Sequence, residues 1–319
     1  MKNEPWLLKP QKTKEILQRY GIRMQKKFGQ NFLIDAHVPE KIVAAADITG
    51  TDFVLEIGPG IGTLTQYLCY AAGSVAAVEI DRHLLPVLEE TLGDWDNVEV
   101  ISGDVMKLDL RTLIAEKAAE LRQKTAGSQP EKAEVQKEAD GLQKDVSVKV
   151  VANLPYYITT PILMKLLEEE LPIDSITVMI QKEVAERMQA APGTAAYGAL
   201  SLAVQYYAVP ELSAIVPPNC FVPRPNVDSA VIHLSKRTPE ARVEVQDAKK
   251  MFAIIRAAFS QRRKTLVNAL RNAADLRKPD GSSYTREEAE RALTACGLPL
   301  TIRGEAIGLE EFAKISDIL

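Results

Sequence analysis

The sequence predicts an α/β domain built around a mainly parallel β-sheet, followed by a small helical domain. Between Phe53 and Ile180, apolar runs alternate with turns and helical segments, which is typical of parallel strands joined by crossover helices. After Lys236 the strand signals stop and apolar residues recur at helical spacing. A chain of 319 residues, 46% of them hydrophobic, is long enough for a large core and a second module. We place the domains at residues 1–238 and 239–319.

The strands and helices of the first domain follow one another regularly. Helices are predicted at Gly62–Ala72, Arg82–Leu92 and Pro161–Glu169. The rhythm breaks at about residues 117–146, where Lys, Glu, Gln and Ala dominate, and we interpret this stretch as a surface insertion, partly helical or mobile. The predicted strands are Phe53–Ile57, Ser74–Ile80, Val98–Ser102, Val148–Asn153, Ile176–Ile180 and Ser229–Leu234.

Helical signals continue to the end of the chain. Apolar residues between Met251 and Leu270 lie at helical spacing. A capping box, Thr285 with Glu288, opens a further helix that Gly297 closes, and a last helix starts near Leu309. These segments predict a compact helical domain.

Composition argues against several classes of protein. No apolar run approaches the roughly 20 residues that span a bilayer, and the first residues lack the apolar core of a signal peptide. The three cysteines are far apart and odd in number, so neither a disulfide framework nor a metal site is predicted. We expect a cytoplasmic protein with no membrane partner and no metal.

The net charge of −4 hides two basic blocks. The first thirty residues carry eight basic and two acidic side chains, with Lys26 and Lys27 at their end. The second block surrounds Arg262, Arg263 and Lys264. Local basic surfaces of this kind suit a protein that follows a phosphate backbone, although each block taken alone is better explained by a solvated helix face.

Glycines follow the first strand of the sheet in the sequence Glu-Ile-Gly58-Pro-Gly60-Ile-Gly62. Glycine permits a sharp turn and lets a ligand approach the backbone closely. Dinucleotide sites use the spacing GxGxxG, whereas GxGxG resembles the loop that holds the nucleoside and methionine parts of S-adenosyl-L-methionine in methyltransferases. Taken alone, these glycines are better explained by a plain tight turn.

Carboxylates end the next two strands. Glu79 is placed to accept hydrogen bonds from ribose hydroxyls, and Asp81 then caps the following helix. Asp104 is placed to accept a hydrogen bond from the adenine amine, although Gly103-Asp104 is also an ordinary turn. Because the carboxyl ends of parallel strands meet at one edge, these groups together indicate a single cofactor site.

The fourth strand ends in Asn153-Leu154-Pro155-Tyr156, the most specific of these motifs. An exocyclic adenine amine is a poor nucleophile because its lone pair is delocalised into the ring. The side-chain carbonyl of Asn153 and the backbone carbonyl of Leu154 can accept both amine hydrogens, which favours a pyramidal nitrogen. Pro155 stiffens the turn and Tyr156 can stack on an extruded base. An ordinary loop is the simpler alternative.

These motifs resemble the successive signatures of KsgA-type dimethyladenosine transferases. The resemblance also includes FGQNFL at residues 28–33, FVPRPNVDSA at residues 221–230 and FSQRRKTL at residues 259–266. It spans roughly residues 20–319 apart from the insertion, which departs from the usual length of the family. The implied fold is the Rossmann-like sheet of class I S-adenosyl-L-methionine methyltransferases, with a small C-terminal helical domain.

The resemblance also assigns roles to individual residues. Phe221 is implied as a second aromatic ring that faces Tyr156 across the target adenine, although by itself it would be interpreted as a buried loop residue. Contacts to the RNA backbone are implied for Arg262, Arg263 and Lys264. The implied cofactor site consists of Asn31, Leu33 (through its backbone), Gly58, Gly60, Glu79, Asp104 and Asn153.

The implied reaction is dimethylation of N6 on each of two adjacent adenosines in the 3′-terminal hairpin of 16S rRNA, within a precursor small ribosomal subunit. We expect a monomeric enzyme. One alternative is a 23S rRNA adenine methyltransferase of the antibiotic-resistance class, which the motifs at 221–230 and 259–266 disfavour. Another is a non-catalytic assembly or transcription factor on the same fold, which the intact Asn153–Tyr156 motif disfavours. A nicotinamide-dependent dehydrogenase is incompatible with the glycine spacing.

Overall fold

The computed structural model describes residues 3–22, 31–127 and 146–319. Lys26, Lys27, the first half of the FGQNFL motif and most of the predicted insertion lie outside the described residues. The chain forms two compact units: residues 1–185 with 211–236, and residues 186–210 with 237–319.

Nine strands and twelve α-helices lie in the described residues. The strands are β1 Phe32–Leu33, β2 Phe53–Ile57, β3 Ser74–Glu79, β4 Val98–Ser102, β5 Val148–Asn153, β6 Ser175–Gln181, β7 Ala208–Val216, β8 Phe221–Val222 and β9 Ser229–Lys236. The helices are α1 Pro10–Arg19, α2 His37–Ala45, α3 Thr63–Ala71, α4 Leu85–Leu92, α5 Leu110–Gly127, α6 Thr159–Glu168, α7 Lys182–Gln189, α8 Ala199–Tyr207, α9 Ala248–Ser260, α10 Leu266–Arg271, α11 Arg286–Ala295 and α12 Leu309–Ile318.

The main sheet has seven strands in the order β4-β3-β2-β5-β6-β9-β7. The first five strands in this order are parallel to one another, and β9 runs antiparallel to β6. The mainly parallel sheet expected from the sequence is therefore confirmed. All five residues of β2 are buried, as expected for a central strand covered on both faces. The loops that follow β2, β3 and β5 consequently meet at one edge of the sheet.

Strand β7 did not figure in the sequence prediction. Its residues alternate between buried or partly buried and exposed positions, the pattern of a strand with one face toward solvent. Pro210 and Glu211 fall early in this run and weaken its strand signal, since proline cannot donate to a sheet and is confined to edges. Strand β7 does lie at an edge of the sheet.

A second, two-stranded sheet joins distant parts of the chain. β1 pairs antiparallel with β8, so that Phe32 lies opposite Val222 and Leu33 lies opposite Phe221. The Ile34 amide also donates to the carbonyl of Cys220, at 2.9 Å. Neither strand was predicted, because two residues carry no detectable periodicity.

The C-terminal unit is larger than the sequence suggested. The expected boundary at residue 238 assigned residues 186–210 to the sheet domain, but the structure groups them with the C-terminal helices. The reason is aromatic packing: Tyr206 and Tyr207 on α8 contact Phe252 on α9, with ring centroids 5.3 Å and 5.8 Å apart. The Tyr197 hydroxyl also donates to the carbonyl of Ile307, at 2.9 Å.

The predicted helical segments of this unit are present. The apolar run from Met251 to Leu270 forms two helices, α9 and α10, separated by a turn at residues 261–265. The capping box at α11 is confirmed, since Thr285 accepts from the Glu288 amide and Glu288 accepts from the Thr285 amide.

The predicted insertion begins as ordinary helix. Helix α5 continues to Gly127, and Ala118 and Leu121 on this helix are buried. Deleting residues 119–145 would therefore remove a core side chain. Residues 128–145 are the part of the insertion outside the described structure.

We expect Leu121→Ala to lower the free energy of unfolding by about 2–5 kcal/mol, because a leucine only 4% exposed is replaced by a cavity. Gln123→Ala, two positions along the same helix on an exposed side chain, should change it by less than about 0.5 kcal/mol. Urea unfolding of both variants measures the difference. Equal stabilities would mean that this turn of α5 does not contribute to the core.

Candidate active site

The three glycines after β2 form the tight turn that their spacing predicted. Gly58, Gly60 and Gly62 have φ of +71°, +63° and +89°, in the left-handed region that other residues rarely adopt. A side chain at Gly62 would also meet the Thr91 hydroxyl at 2.9 Å. The turn leads directly into α3, so its backbone remains open on the side that faces the cavity described below.

Glu79 lies at the end of β3 and is only 4% exposed. One carboxylate oxygen accepts from the Asp81 amide at 2.8 Å, and the other accepts from the Gly60 amide at 3.2 Å. Burial raises the pKa of Glu79, and these two amide donors oppose the shift. The carboxylate therefore holds the glycine turn in place. Asp81 caps the next helical turn by accepting from the His83 amide, as the sequence suggested.

The Asn153 side chain at the end of β5 has a fixed orientation. Its amide nitrogen donates to the backbone carbonyl of Asn31 at 3.3 Å. Because that carbonyl can only accept, the nitrogen must face it and the amide oxygen must point away from it. Leu154 is anchored next to it, since its amide donates to the Met179 carbonyl at 3.1 Å. The two predicted carbonyl acceptors are thus adjacent on an anchored turn.

Tyr156 and Tyr157 differ in how they are held. The Tyr156 hydroxyl lies 2.8 Å from the hydroxyl of Ser229 on β9, and burial raises the pKa of this tyrosine. Tyr157 is 58% exposed. The turn that carries them is closed by Pro155, whose carbonyl accepts from the Ile158 amide and the Thr159 hydroxyl.

These groups surround one cavity at the carboxyl edge of the sheet. Its walls come from the β1 segment, the glycine turn, the ends of β2 and β3, and the turn after β5. Of the predicted site residues, the cavity is lined by Asn31, Leu33, Gly58, Gly60, Glu79, Asn153, Leu154, Pro155 and Tyr156.

Two residues predicted for catalysis or cofactor binding do not line this cavity. Phe221 is 1% exposed and packs in the apolar core with Leu33 and Cys220, so it does not present a face opposite Tyr156. The pairing of β8 with β1 fixes it there. Asp104 accepts from the Met106 amide at 3.0 Å and lies 3.7 Å from the Lys107 ammonium, which is the ordinary turn considered for Gly103-Asp104.

Glu56 is a cavity residue that was not singled out from the sequence. It lies on β2, two residues before Gly58, and is 1% exposed. Its Oε2 atom and the hydroxyls of Thr63 and Thr65 have no hydrogen-bond partner within the described part of the chain. A carboxylate inside an otherwise apolar strand is the sequence signal that could have drawn attention to it.

The basic block after α9 is only partly available to a ligand. The Arg262 guanidinium donates to the carbonyls of Tyr197 at 2.6 Å and Ala195 at 3.3 Å, so it ties α9 to the segment before α8. The side chains of Arg263 and Lys264 are exposed. In the N-terminal block, Arg19 pairs with Glu90.

The described ranges contain neither a candidate metal site nor a candidate membrane span. No group of three or more His, Cys, Asp or Glu side chains there is arranged to hold a metal ion. No helix among the described residues is long and apolar enough to cross a bilayer.

Solved structures with the same architecture identify the class of fold. A dimethyladenosine transferase from Plasmodium falciparum is 23% identical, with a TM-score of 0.65 over 89% of this chain and 95% of that one. The 23S rRNA methyltransferase ErmE is 24% identical, with a TM-score of 0.59 over 91% of this chain and 99% of that one. The fold is therefore that of the class I methyltransferases.

Sequence similarity is more specific. A sequence model of the family described as ribosomal RNA adenine dimethylase matches residues 21–288. Ribosomal RNA small subunit methyltransferase A from Lachnoclostridium phytofermentans is 52% identical over 97% of this chain and 96% of its own. The protein of the same name from Geobacillus thermodenitrificans is 48% identical over 97% of this chain and 96% of its own. The chain belongs to the ribosomal RNA adenine dimethylase family.

As a member of this family, the protein is an enzyme that uses S-adenosyl-L-methionine to methylate adenine in ribosomal RNA.

Proposed function

We propose that the enzyme transfers methyl groups to N6 of two adjacent adenosines in the 3′-terminal hairpin of 16S rRNA, two methyls to each. Its substrate is a precursor small ribosomal subunit in the cytoplasm, and it acts as a monomer without a metal ion. The observation that carries the proposal is the Asn153 amide, whose nitrogen is bonded to the Asn31 carbonyl and whose oxygen is thereby turned away from it.

The cavity has the features that S-adenosyl-L-methionine requires. The ligand contains a ribose with two hydroxyls, which a buried carboxylate such as Glu79 suits, and an amino-acid part that needs close backbone approach, which the turn at Gly58 and Gly60 provides. When bound, the cofactor supplies a methyl group on a positively charged sulfur, which needs no further activation. Asn31 and Leu33 border the same space from the β1 segment.

The residues of the chain then have one main task, which is to prepare the adenine amine. The Asn153 side-chain oxygen and the Leu154 backbone carbonyl each accept one amine hydrogen, which draws the lone pair out of the ring and directs it. Tyr156, fixed by Ser229, supports one face of the base. Rate comes from orientation more than from a strong base, because the amine proton is lost only as the new bond forms. Phe221 has no part in this proposal.

Methyl transfer to purified ribosomal subunits tests the substrate. With radiolabelled cofactor, we expect label in 16S RNA of small subunits that lack the modification and none in 23S RNA of large subunits. Mass spectrometry of the digested RNA should show dimethyladenosine as the end product. Label in 23S RNA alone, or a reaction that stops at monomethyladenosine under excess cofactor, would contradict the proposal.

The exposed cations Arg263 and Lys264 support binding to the RNA backbone. Each phosphate contact releases counterions, so affinity should fall as salt rises, and the double variant Arg263→Ala/Lys264→Ala should flatten this dependence by about 1–2 in the slope of log affinity against log salt. Filter binding at several salt concentrations measures the slope. An unchanged slope would mean that these side chains form a solvated helix face.

Arg262 serves as the internal comparison for that experiment. The Arg262 guanidinium donates to the Tyr197 and Ala195 carbonyls. We therefore expect Arg262→Ala to lower the melting temperature, and to change the salt slope less than the double variant does.

A further inference from the structure

Glu56 is a carboxyl group in an environment that disfavours its charge. It is 1% exposed, it lies in a fully buried strand, and its Oε2 atom has no hydrogen-bond partner among the described residues. Burial, together with the nearby Glu79 carboxylate, raises the pKa of Glu56 to about 8, although the Thr65 hydroxyl, which is close by but not in hydrogen-bonding geometry, opposes the shift. An isolated buried carboxyl group normally remains protonated, because this avoids the free-energy cost of burying a negative charge.

Among the residues that the structure describes, no cation contributes to the electrostatic environment of this carboxyl. From β3 it faces Glu79, which is also negative when ionised, and from α3 it faces the Cys69 thiol, whose pKa it helps to raise. The ammonium of Lys149 on β5 is already paired with Asp52, at 2.9 Å. The hydroxyl of Thr63, which lines the same cavity, also has no hydrogen-bond partner among the described residues. A buried polar atom without a partner in a cavity wall suits a polar or charged ligand group.

We propose that Glu56 is a neutral carboxylic acid before ligand binding and gives up its proton when a cationic ligand binds, so that cofactor binding releases one proton to the solvent. This inference rests on the proposed function, in that it takes the ligand to be S-adenosyl-L-methionine. No covalent bond to carbon changes: the O–H bond of the carboxyl breaks, the proton leaves to buffer, and the carboxylate remains beside the ligand's positive charge.

The ligand chemistry follows from the charge balance. A cation placed next to a buried carboxyl favours the ionised form, which reverses the effect of burial. The cofactor carries two cations, an ammonium and a sulfonium, and both belong to its amino-acid part. Glu79, beside the Gly60 amide, is assigned to the ribose, so Glu56 is the carboxyl left for the charged part.

Calorimetry in buffers of different ionisation enthalpy measures the proton directly. At about pH 6.5 the amine of the free ligand is already protonated, so the ligand takes up few protons when it binds. We expect close to one proton released per S-adenosyl-L-methionine bound by the unmodified protein and none by Glu56→Gln. A binding enthalpy that does not vary with the buffer, or an equal release from the variant, would overturn the proposal.

Two further ligands locate the cation. S-adenosylhomocysteine keeps the ammonium and lacks the sulfonium, and 5′-methylthioadenosine lacks both. Proton release with both S-adenosyl-L-methionine and S-adenosylhomocysteine identifies the ammonium as the partner of Glu56. Proton release with S-adenosyl-L-methionine alone identifies the sulfonium. Both results support the proposal. Release with 5′-methylthioadenosine would instead place the titrating group beside the ribose, and the proposal would fail.

The stability of the ligand-free protein gives an independent readout. Because the pKa of Glu56 is raised on folding, its contribution to stability is fully present below its unfolded value, near 4.5, and is lost as the pH rises through about 8. The melting temperature of the unmodified protein should therefore fall relative to Glu56→Gln between about pH 5 and 8, and the difference should level off above. Parallel pH profiles would refute the buried neutral acid. Neither experiment uses RNA, so failure of the proposed methyl transfer and failure of this inference remain distinguishable.

Discussion

Replacing Asn153 by alanine should abolish most methyl transfer while leaving folding and RNA affinity close to normal. The variant loses the amide oxygen that accepts an amine hydrogen of the target adenine, and it also loses the bond from the amide nitrogen to the Asn31 carbonyl. Removing one oriented hydrogen-bonding group from a reaction centre typically reduces the rate by about 10²–10³-fold. RNA affinity should persist because it comes mostly from phosphate contacts. Single-turnover transfer of labelled methyl to small subunits measures the effect.

The control for this experiment is Asn272→Ala, which makes the same change at an exposed position in the C-terminal unit. We expect it to retain normal turnover. The second methylation provides a sharper comparison, because monomethyladenosine has a single amine hydrogen left to share between the Asn153 and Leu154 carbonyls. If Asn153→Ala kept turnover within a few-fold of normal, the amine would have to be oriented by other groups.

Replacing Glu79 by alanine should weaken S-adenosyl-L-methionine binding by roughly 10²-fold or more, because a charge-assisted hydrogen bond contributes about 1.5–3 kcal/mol and two are expected to the ribose. The structure adds a second reason. The carboxylate also accepts from the Gly60 and Asp81 amides, so the alanine variant leaves the glycine turn unsupported. Some loss of thermal stability should accompany the loss of affinity.

Glu79→Gln separates the two effects. Glutamine keeps the shape of the side chain and one acceptor oxygen, so it should recover much of the stability but little of the affinity. Glu89→Ala, on an exposed position of α4, is the matched control and should bind the cofactor normally. Isothermal titration calorimetry with melting curves for all three variants gives both quantities. Normal affinity in Glu79→Ala would exclude the ribose role.

The sequence predicted best where one local rule determines the structure. Strands β2, β4 and β5 occur at their predicted residues, because a buried parallel strand is a short apolar run bounded by turns. The glycines were informative for a similar reason, since left-handed backbone at Gly58, Gly60 and Gly62 leaves few other residue types possible. The neighbouring positions of Glu79 and Asn153 followed from the common direction of their strands.

The prediction was weaker where tertiary packing decides. Nothing local indicates that Phe221 pairs across to Leu33 and is buried, or that α8 packs with the C-terminal helices. The distinct role of Arg262 likewise depends on carbonyls more than sixty residues away along the chain. Glu56 was overlooked because the glycines beside it carried the motif, although a charged residue in a buried strand is informative in itself.

The pairing of β1 with β8 has a consequence for the order in which the protein becomes competent during synthesis. Phe32 and Val222 are 190 residues apart in the chain, yet the segment that contains Asn31 and Leu33 is held in the cavity wall by this pairing. Contacts so distant in sequence form late, after the loop between them has closed. In a nascent chain, the glycine turn and the Asn153 turn can fold before residues 221–222 have been synthesised. Such a chain has an open cavity and no anchored Asn31 carbonyl for Asn153. The growing polypeptide should therefore be unable to retain cofactor until most of the chain has left the ribosome.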